Sequence, residues 1–180
     1  MLSILLYIIL FLFALVGLFL LFFLRNPKRV PPAGEVILAP ADGLVVVAGE
    51  EGNWARVAIF MSPLNVHVQW VPYPGKVVKI EKVEGTFRSA NLDEASHNKQ
   101  VITTIETKLG TILVKQMVGL LVRRIETFVK VGDELKVGQR LGRIMFGSRV
   151  ELWLPKDKVT IIAKKNQKVL AGLTIVAQPK

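Results

Sequence analysis

Gln100-Val101-Ile102-Thr103-Thr104-Ile105-Glu106 runs through Lys108-Leu109-Gly110 into Thr111-Ile112-Leu113-Val114-Lys115-Gln116-Met117. Both arms are rich in β-branched residues, which suit a pleated surface, and a glycine closes the corner between them. The stretch reads as a β-hairpin. Segments of the same character flank it on both sides. Val36 to Ala39, Leu44 to Ala48, Ala55 to Phe60 and Val66 to Trp70 precede it, and Lys76 to Val83 alternates loosely. Arg149 to Leu154 and Val159 to Ile162 follow it. One short stretch, Asn91 to His97, reads as helical. The expected fold is all-β, a single barrel-like domain over residues 35–180, long enough to bury a real core.

Ahead of that domain, Leu2 to Leu24 is an uncharged run of 23 residues. As a helix it would measure roughly 34 Å, enough to cross a hydrocarbon core of about 30 Å. No basic segment precedes it and no small-residue cleavage site follows it, so a retained anchor over residues 1–24 fits better than a signal peptide. Arg25, Lys28 and Arg29 come next, which by the positive-inside rule puts the domain on the cytoplasmic face of the cell membrane. Residues 25–34, ending in Pro31-Pro32-Ala33-Gly34, read as a linker. All 24 Lys and Arg and all 14 Asp and Glu lie beyond the apolar run, so the rest of the chain carries the whole net charge of +10. An anionic membrane is a better partner for that surface than nucleic acid, because the chain is already tethered there. Without cysteine, disulfides and cysteine-based zinc sites are excluded, and no metal site is expected.

Val131 to Gly142 reads as turn, strand, turn, a pattern also found in sandwich-hybrid β-domains that carry lipoyl or biotinyl groups, where it is structural. The chemistry concentrates elsewhere. Leu141 to Ile144 runs into Gly147-Ser148 and on into Arg149-Val150-Glu151-Leu152. A serine after a glycine is a place where the backbone can be attacked by its own side chain, since no Cβ blocks the hydroxyl. Ala39-Pro40-Ala41-Asp42-Gly43 sets an acid in a turn. Phe60-Met61-Ser62-Pro63-Leu64-Asn65-Val66-His67 sets a histidine at the start of an apolar strand. His97 falls in a polar stretch and reads as exposed loop. Asp42, His67 and Ser148 together supply an acid, a base and a nucleophile: the base takes the hydroxyl proton and the acid orients the base.

In this order, Arg25-Asn26-Pro27, Ala39 to Gly43, Phe60 to His67, Gly85-Thr86-Phe87, Gly119 to Ile125, Gly138 to Gly142 and Phe146 to Val150 resemble the phosphatidylserine decarboxylase proenzymes of the short archaeal and bacterial type. The resemblance implies a self-processing enzyme with a pyruvoyl group derived from Ser148. The Ser148 hydroxyl would attack the Gly147 carbonyl, and the chain would part between Gly147 and Ser148. The pieces 1–147 and 148–180 would stay together as a heterodimer, with room for a higher oligomer. Asp42 and His67 would assist the cut, with His67 also handling protons during turnover. The substrate implied is phosphatidylserine in an anionic membrane, converted to phosphatidylethanolamine. The chain departs from the family pattern at Asn26 and Asn65, where aspartate is usual, and at Lys99-Gln100, where glutamate-arginine is usual. Two other readings remain open: a non-catalytic, membrane-anchored, lipoyl-like adaptor, and a carrier domain modified at Lys158.

Overall fold

The uncharged run forms one helix, α1 (Leu2–Phe23), in the computed structural model of the chain, which describes residues 2–90, 93–120, 124–145 and 147–180. The segment Ser3–Phe23 has a mean hydropathy of 3.1. At 1.5 Å per residue the helix is about 33 Å long, long and apolar enough to cross a membrane. Its side chains are exposed almost throughout, with one departure: Phe23, at its end, is buried.

Beyond the helix the chain is built of strands. β1 (Ile37–Leu38), β2 (Gly43–Glu51), β3 (Trp54–Met61), β4 (Val68–Trp70) and β5 (Gly75–Val83) come first. A 3-10 turn, Asp93–His97, precedes β6 (Gln100–Thr107) and β7 (Gly110–Met117). Then come β8 (Ile125–Thr127), β9 (Glu134–Leu135), β10 (Arg140–Ile144) and β11 (Ser148–Pro155). β12 (Val159–Ile161), β13 (Lys168–Val169) and β14 (Ile175–Pro179) end the chain. Eight strands form one sheet in the order β13-β2-β3-β11-β7-β6-β5-β9, and two three-stranded sheets, β1-β14-β12 and β4-β10-β8, complete the all-β fold.

β11 lies between β3 and β7 within the eight-stranded sheet and is buried on both faces over most of its length. Ser148, Val150, Leu152 and Leu154 share one face and are fully buried. Val150, Leu152 and Leu154 pack in the core with Val57, Ile59, Ile105 and Val114, each apolar side chain contributing about 1.5–3 kcal/mol of burial. Arg149, Glu151 and Trp153 share the other face. The Glu151 carboxylate accepts from Arg56 Nη2 at 2.7 Å and Trp153 Nε1 at 2.8 Å, and pairs with Arg149 Nε at 2.8 Å. These contacts answer the desolvation of a charged strand face. Register then fixes the site: Ser148 opposes Met61 on β3, and Arg149 opposes Met117 on β7.

The strands expected from the sequence form, with some shortening: Val36–Ala39 yields only Ile37–Leu38, and Val66–Trp70 begins at Val68. The helical reading of Asn91–His97 becomes the 3-10 turn over Asp93–His97, while Asn91 and Leu92 lie outside the described residues. β8, β13 and β14 were not expected. Each is short, and its backbone finds partners remote in sequence, as when β14 pairs with β1 and β12.

Candidate active site

Met61 ends β3, and the chain reverses through Ser62-Pro63-Leu64-Asn65. The Asn65 side-chain oxygen makes the turn by accepting from the Ser62 amide at 2.8 Å and the Ser62 hydroxyl at 2.9 Å. An amide oxygen thus does what a carboxylate could do there, so the Asn65 departure leaves the turn intact. The turn delivers His67, which is 2% exposed. Its Nδ1 lies 2.9 Å from the Asn65 carbonyl, which can only accept, so Nδ1 carries the hydrogen. Nε2 therefore presents a lone pair, and it is buried with no hydrogen-bond partner among the described residues. Burial pushes the imidazole pKa down to about 4. The Arg25 charge adds to this, and the Asn65 bond and the Asp42 charge oppose it. At neutral pH His67 is an uncharged base.

Ser148 opens β11 with its side chain in the core. Its hydroxyl donates to Met61 Sδ at 3.4 Å, a weak acceptor. The same sulfur accepts from Gln69 Nε2 at 3.5 Å, which also donates to the His67 carbonyl at 2.9 Å. Gln116 Nε2 completes the chain by donating to Gln69 Oε1 at 2.9 Å. A second link runs along the backbone, where the Ile144 amide donates to the His67 carbonyl at 3.3 Å, four residues before Ser148. The fold thus brings Ser148 and His67 into one buried region. Among the described residues there is no direct hydrogen bond between the hydroxyl and Nε2.

The carbonyl ahead of Ser148 is also positioned. Gly147 has φ +59°, a left-handed conformation that a side chain disfavours. Gly119, just past β7, packs directly against it: a Cβ on Gly119 would stand 1.7 Å from the Gly147 oxygen. Asn98, fully buried, holds that wall in place. Its amide nitrogen donates to the carbonyls of Arg88 and Val118 at 2.8 Å, and its oxygen accepts from the Arg88 amide at 2.7 Å. Phe146, Leu121, Val122 and Arg123, quoted above for the resemblance, lie outside the described residues.

The Asp42 carboxylate is held by Arg29 and the Ala171 amide, and among the described residues it makes no hydrogen bond to the His67 ring. Its Oδ2 accepts from Arg29 Nη2 at 2.8 Å, and its Oδ1 accepts from Arg29 Nη1 and from the Ala171 amide. A carboxylate only 4% exposed draws a guanidinium fork in preference to a neutral imidazole, whose Nδ1 is already held by Asn65. Lys99, the other departure, pairs with Glu84 at 2.8 Å. His97 is exposed, as is Lys158.

The buried imidazole makes stability depend on acid. The unfolded chain takes up the His67 proton near pH 6.5, and the folded chain only near pH 4. Stability is therefore full above about pH 6.5 and falls as pH drops toward 4, by roughly 3 kcal/mol for this one group. Denaturant unfolding of uncut protein in micelles checks this, and His67→Gln is expected to remove most of the slope in that window.

The chain joins a membrane-length helix to an all-β domain that buries a serine behind a left-handed glycine and, in the same interior, an uncharged histidine, a make-up that fits a membrane-associated enzyme. The sequence profile of the phosphatidylserine decarboxylase family matches residues 16–177. The phosphatidylserine decarboxylase proenzyme of Solibacter usitatus is 40% identical over 166 residues, covering 91% of this chain and 80% of that protein. That of Carboxydothermus hydrogenoformans is 39% identical over 175 residues, covering 92% and 82%. That of Streptomyces coelicolor is 42% identical over 157 residues, covering 86% and 71%. The chain belongs to the phosphatidylserine decarboxylase family, a family of carboxy-lyases.

Sequence reasoning did not find Gly119, Asn98 as its support, Met61, Arg29 or Phe23. Gly119 follows an apolar strand and looks like ordinary turn chemistry. Arg29 reads as a membrane-flanking charge, and Phe23 as one more apolar residue of the anchor.

Proposed function

We propose that the chain cuts itself between Gly147 and Ser148 and then decarboxylates phosphatidylserine, using a pyruvoyl group left on residue 148. The observation that carries this is the buried Ser148 hydroxyl behind a carbonyl held by Gly119, with the unpartnered Nε2 of His67 in the same buried region.

In the cut, the hydroxyl oxygen bonds to the Gly147 carbonyl carbon as the peptide C–N bond breaks. This gives an ester and a free amine on residue 148. His67 Nε2 takes the hydroxyl proton and returns it to the leaving nitrogen. Loss of the residue 148 Cα proton then expels Gly147 as a carboxylate, and water replaces the nitrogen, releasing ammonia and leaving a ketone. That ketone supplies an electron sink for the pair left behind when a substrate loses carbon dioxide. The group fits here because residue 148 lies among Met61, Gln69 and the Gly119 wall, with a buried lone pair available to move protons.

The pieces 1–147 and 148–180 remain a heterodimer in this account. β11 keeps its ladders to β3 and β7 after the cut, since both partners lie in the larger piece. Residues 1–24 anchor the chain, 25–34 link, and 35–180 carry the reaction on the cytoplasmic face. Arg25 and Lys28 support that orientation. Exposed Lys164, Lys165 and Lys168 favour an anionic surface by about 1 kcal/mol each when close to it. Asp42 contributes by fixing the linker through Arg29. A non-catalytic adaptor or a carrier modified at Lys158 finds no support in a family of carboxy-lyases.

Vesicles of phosphatidylserine labelled in the serine carboxyl test the second reaction. Wild-type protein is expected to release labelled carbon dioxide and leave phosphatidylethanolamine. Fully cut protein that releases none would remove phosphatidylserine as the substrate.

A further inference from the structure

The point where the membrane helix meets the domain is not a loose tether. Phe23 is 1% exposed, while its neighbour Phe22 is 46% exposed and Leu21 is 77% exposed. Its ring lies 4.3 Å from the His67 ring, centroid to centroid, at an interplanar angle of 37°. Two residues on, Arg25 joins helix to domain: Nη1 donates to the Phe22 carbonyl at 2.7 Å and Nη2 to the Leu64 carbonyl at 2.6 Å. Leu64 belongs to the turn that presents His67, and its own side chain is 66% exposed. Four residues further, Arg29 grips Asp42 and the Ala171 carbonyl and lies over the Trp70 ring at 4.6 Å. Three residues within a stretch of seven, Phe23, Arg25 and Arg29, are fastened to the domain, more than a flexible leash requires.

We propose that the last turn of the membrane helix is a working part of the active site, with Phe23 as a positioning residue that covers the His67 imidazole and shields it from water. The assignment deepens the proposed function by adding a wall supplied by the anchor itself. It also fixes the histidine at the level where the helix leaves the bilayer, the level at which a lipid head group lies. A substrate in the same membrane then meets the site without leaving its leaflet, and Leu64 lies beside the helix exit to meet the acyl boundary.

Among the described residues the charged groups acting on the imidazole are Arg25 from the helix exit and Asp42 from the β1–β2 turn, and the Asp42 charge is answered by Arg29. Neither is altered by changing Phe23. Removing the ring therefore admits water to His67 without removing either charge, and the proton affinity of the imidazole rises toward that of a solvated histidine.

The test uses the full-length Ser148→Ala chain in lipid nanodiscs, so that its result does not depend on whether the protein cuts itself. His67 and His97 are the two histidines of the chain, and His97→Gln assigns their signals. Titration of isotope-labelled histidine is expected to give a His67 midpoint near 4 in the parent. Phe23→Ala is expected to move that midpoint up by about one pH unit or more, Phe23→Leu by less, and Phe13→Ala, on an exposed part of the helix, not at all. An unchanged midpoint in folded Phe23→Ala overturns the proposal. Should that variant fail to fold, a nuclear Overhauser contact between the Phe23 and His67 rings of the parent decides: its presence supports the proposal and its absence overturns it. Failure of self-cleavage in the wild type would leave this result standing and would count against the proposed function alone.

Discussion

Ser148→Ala is expected to accumulate as one uncut chain of 180 residues with decarboxylation below detection. The substitution removes a single oxygen whose hydrogen-bond partner is a methionine sulfur at 3.4 Å, so its stability cost is small. The chemical cost is total. Without the hydroxyl no ester forms, and without the ester no ketone appears on residue 148. Gel mobility and a thermal melt separate the two effects: a normal melt with an uncut chain is the expected pair. Ser148→Thr keeps a hydroxyl but adds a methyl in a fully buried position, so slow cutting is expected there. A Ser148→Ala chain that is still cut at the same bond would exclude the side chain as nucleophile.

Gly119→Ala carries the second largest effect. The added methyl would stand 1.7 Å from the Gly147 oxygen and 2.8 Å from its carbon, where real contacts do not occur. The obstacle is backbone, so it cannot rotate away. Relief requires the carbonyl, or the Val118–Gly119 segment pinned by Asn98, to shift by about 1 Å or more. Overpacking of this kind costs typically about 1–3 kcal/mol, which a domain of this size can survive. A shift of about 1 Å between reacting atoms costs on the order of 100-fold in rate. The expected variant is thus folded but cut at least about 100-fold more slowly than wild type, measured by the fraction of whole chain over time. Wild-type cutting in folded Gly119→Ala would show that the Gly147 carbonyl is not held by this wall.

The contrast between these two residues shows what a sequence discloses. Ser148 is visible because its chemistry is local: a hydroxyl one bond from the peptide it would attack, next to a glycine that leaves room. The hairpin over Gln100–Met117 is visible for a similar reason, since alternation and a turn residue are written in adjacent positions. Gly119 acts on a carbonyl 28 residues away, and it does so only because β7 and β11 are paired in one particular register. The partner of Asp42 was not legible: the turn and the chemistry pointed to His67, and nothing local says that Arg29 reaches the carboxylate first. Phe23 is hidden most completely, because a phenylalanine in an apolar helix has no feature that marks it as different. Its burial comes from where the linker enters the domain, a tertiary fact. The three short strands β8, β13 and β14 were missed for the same reason, as remote backbone partners rather than propensity decide them.

The central claim is that the hydroxyl of residue 148 severs the bond ahead of it and leaves a ketone. Intact-mass analysis of full-length protein extracted from membranes, followed by labelling with a carbonyl reagent, tests this most directly. The predicted result is two pieces, residues 1–147 and 148–180, with the smaller one blocked to amino-terminal sequencing and carrying the label. A folded protein that stays one whole chain, or a small piece that begins with an ordinary serine amine, would contradict the account.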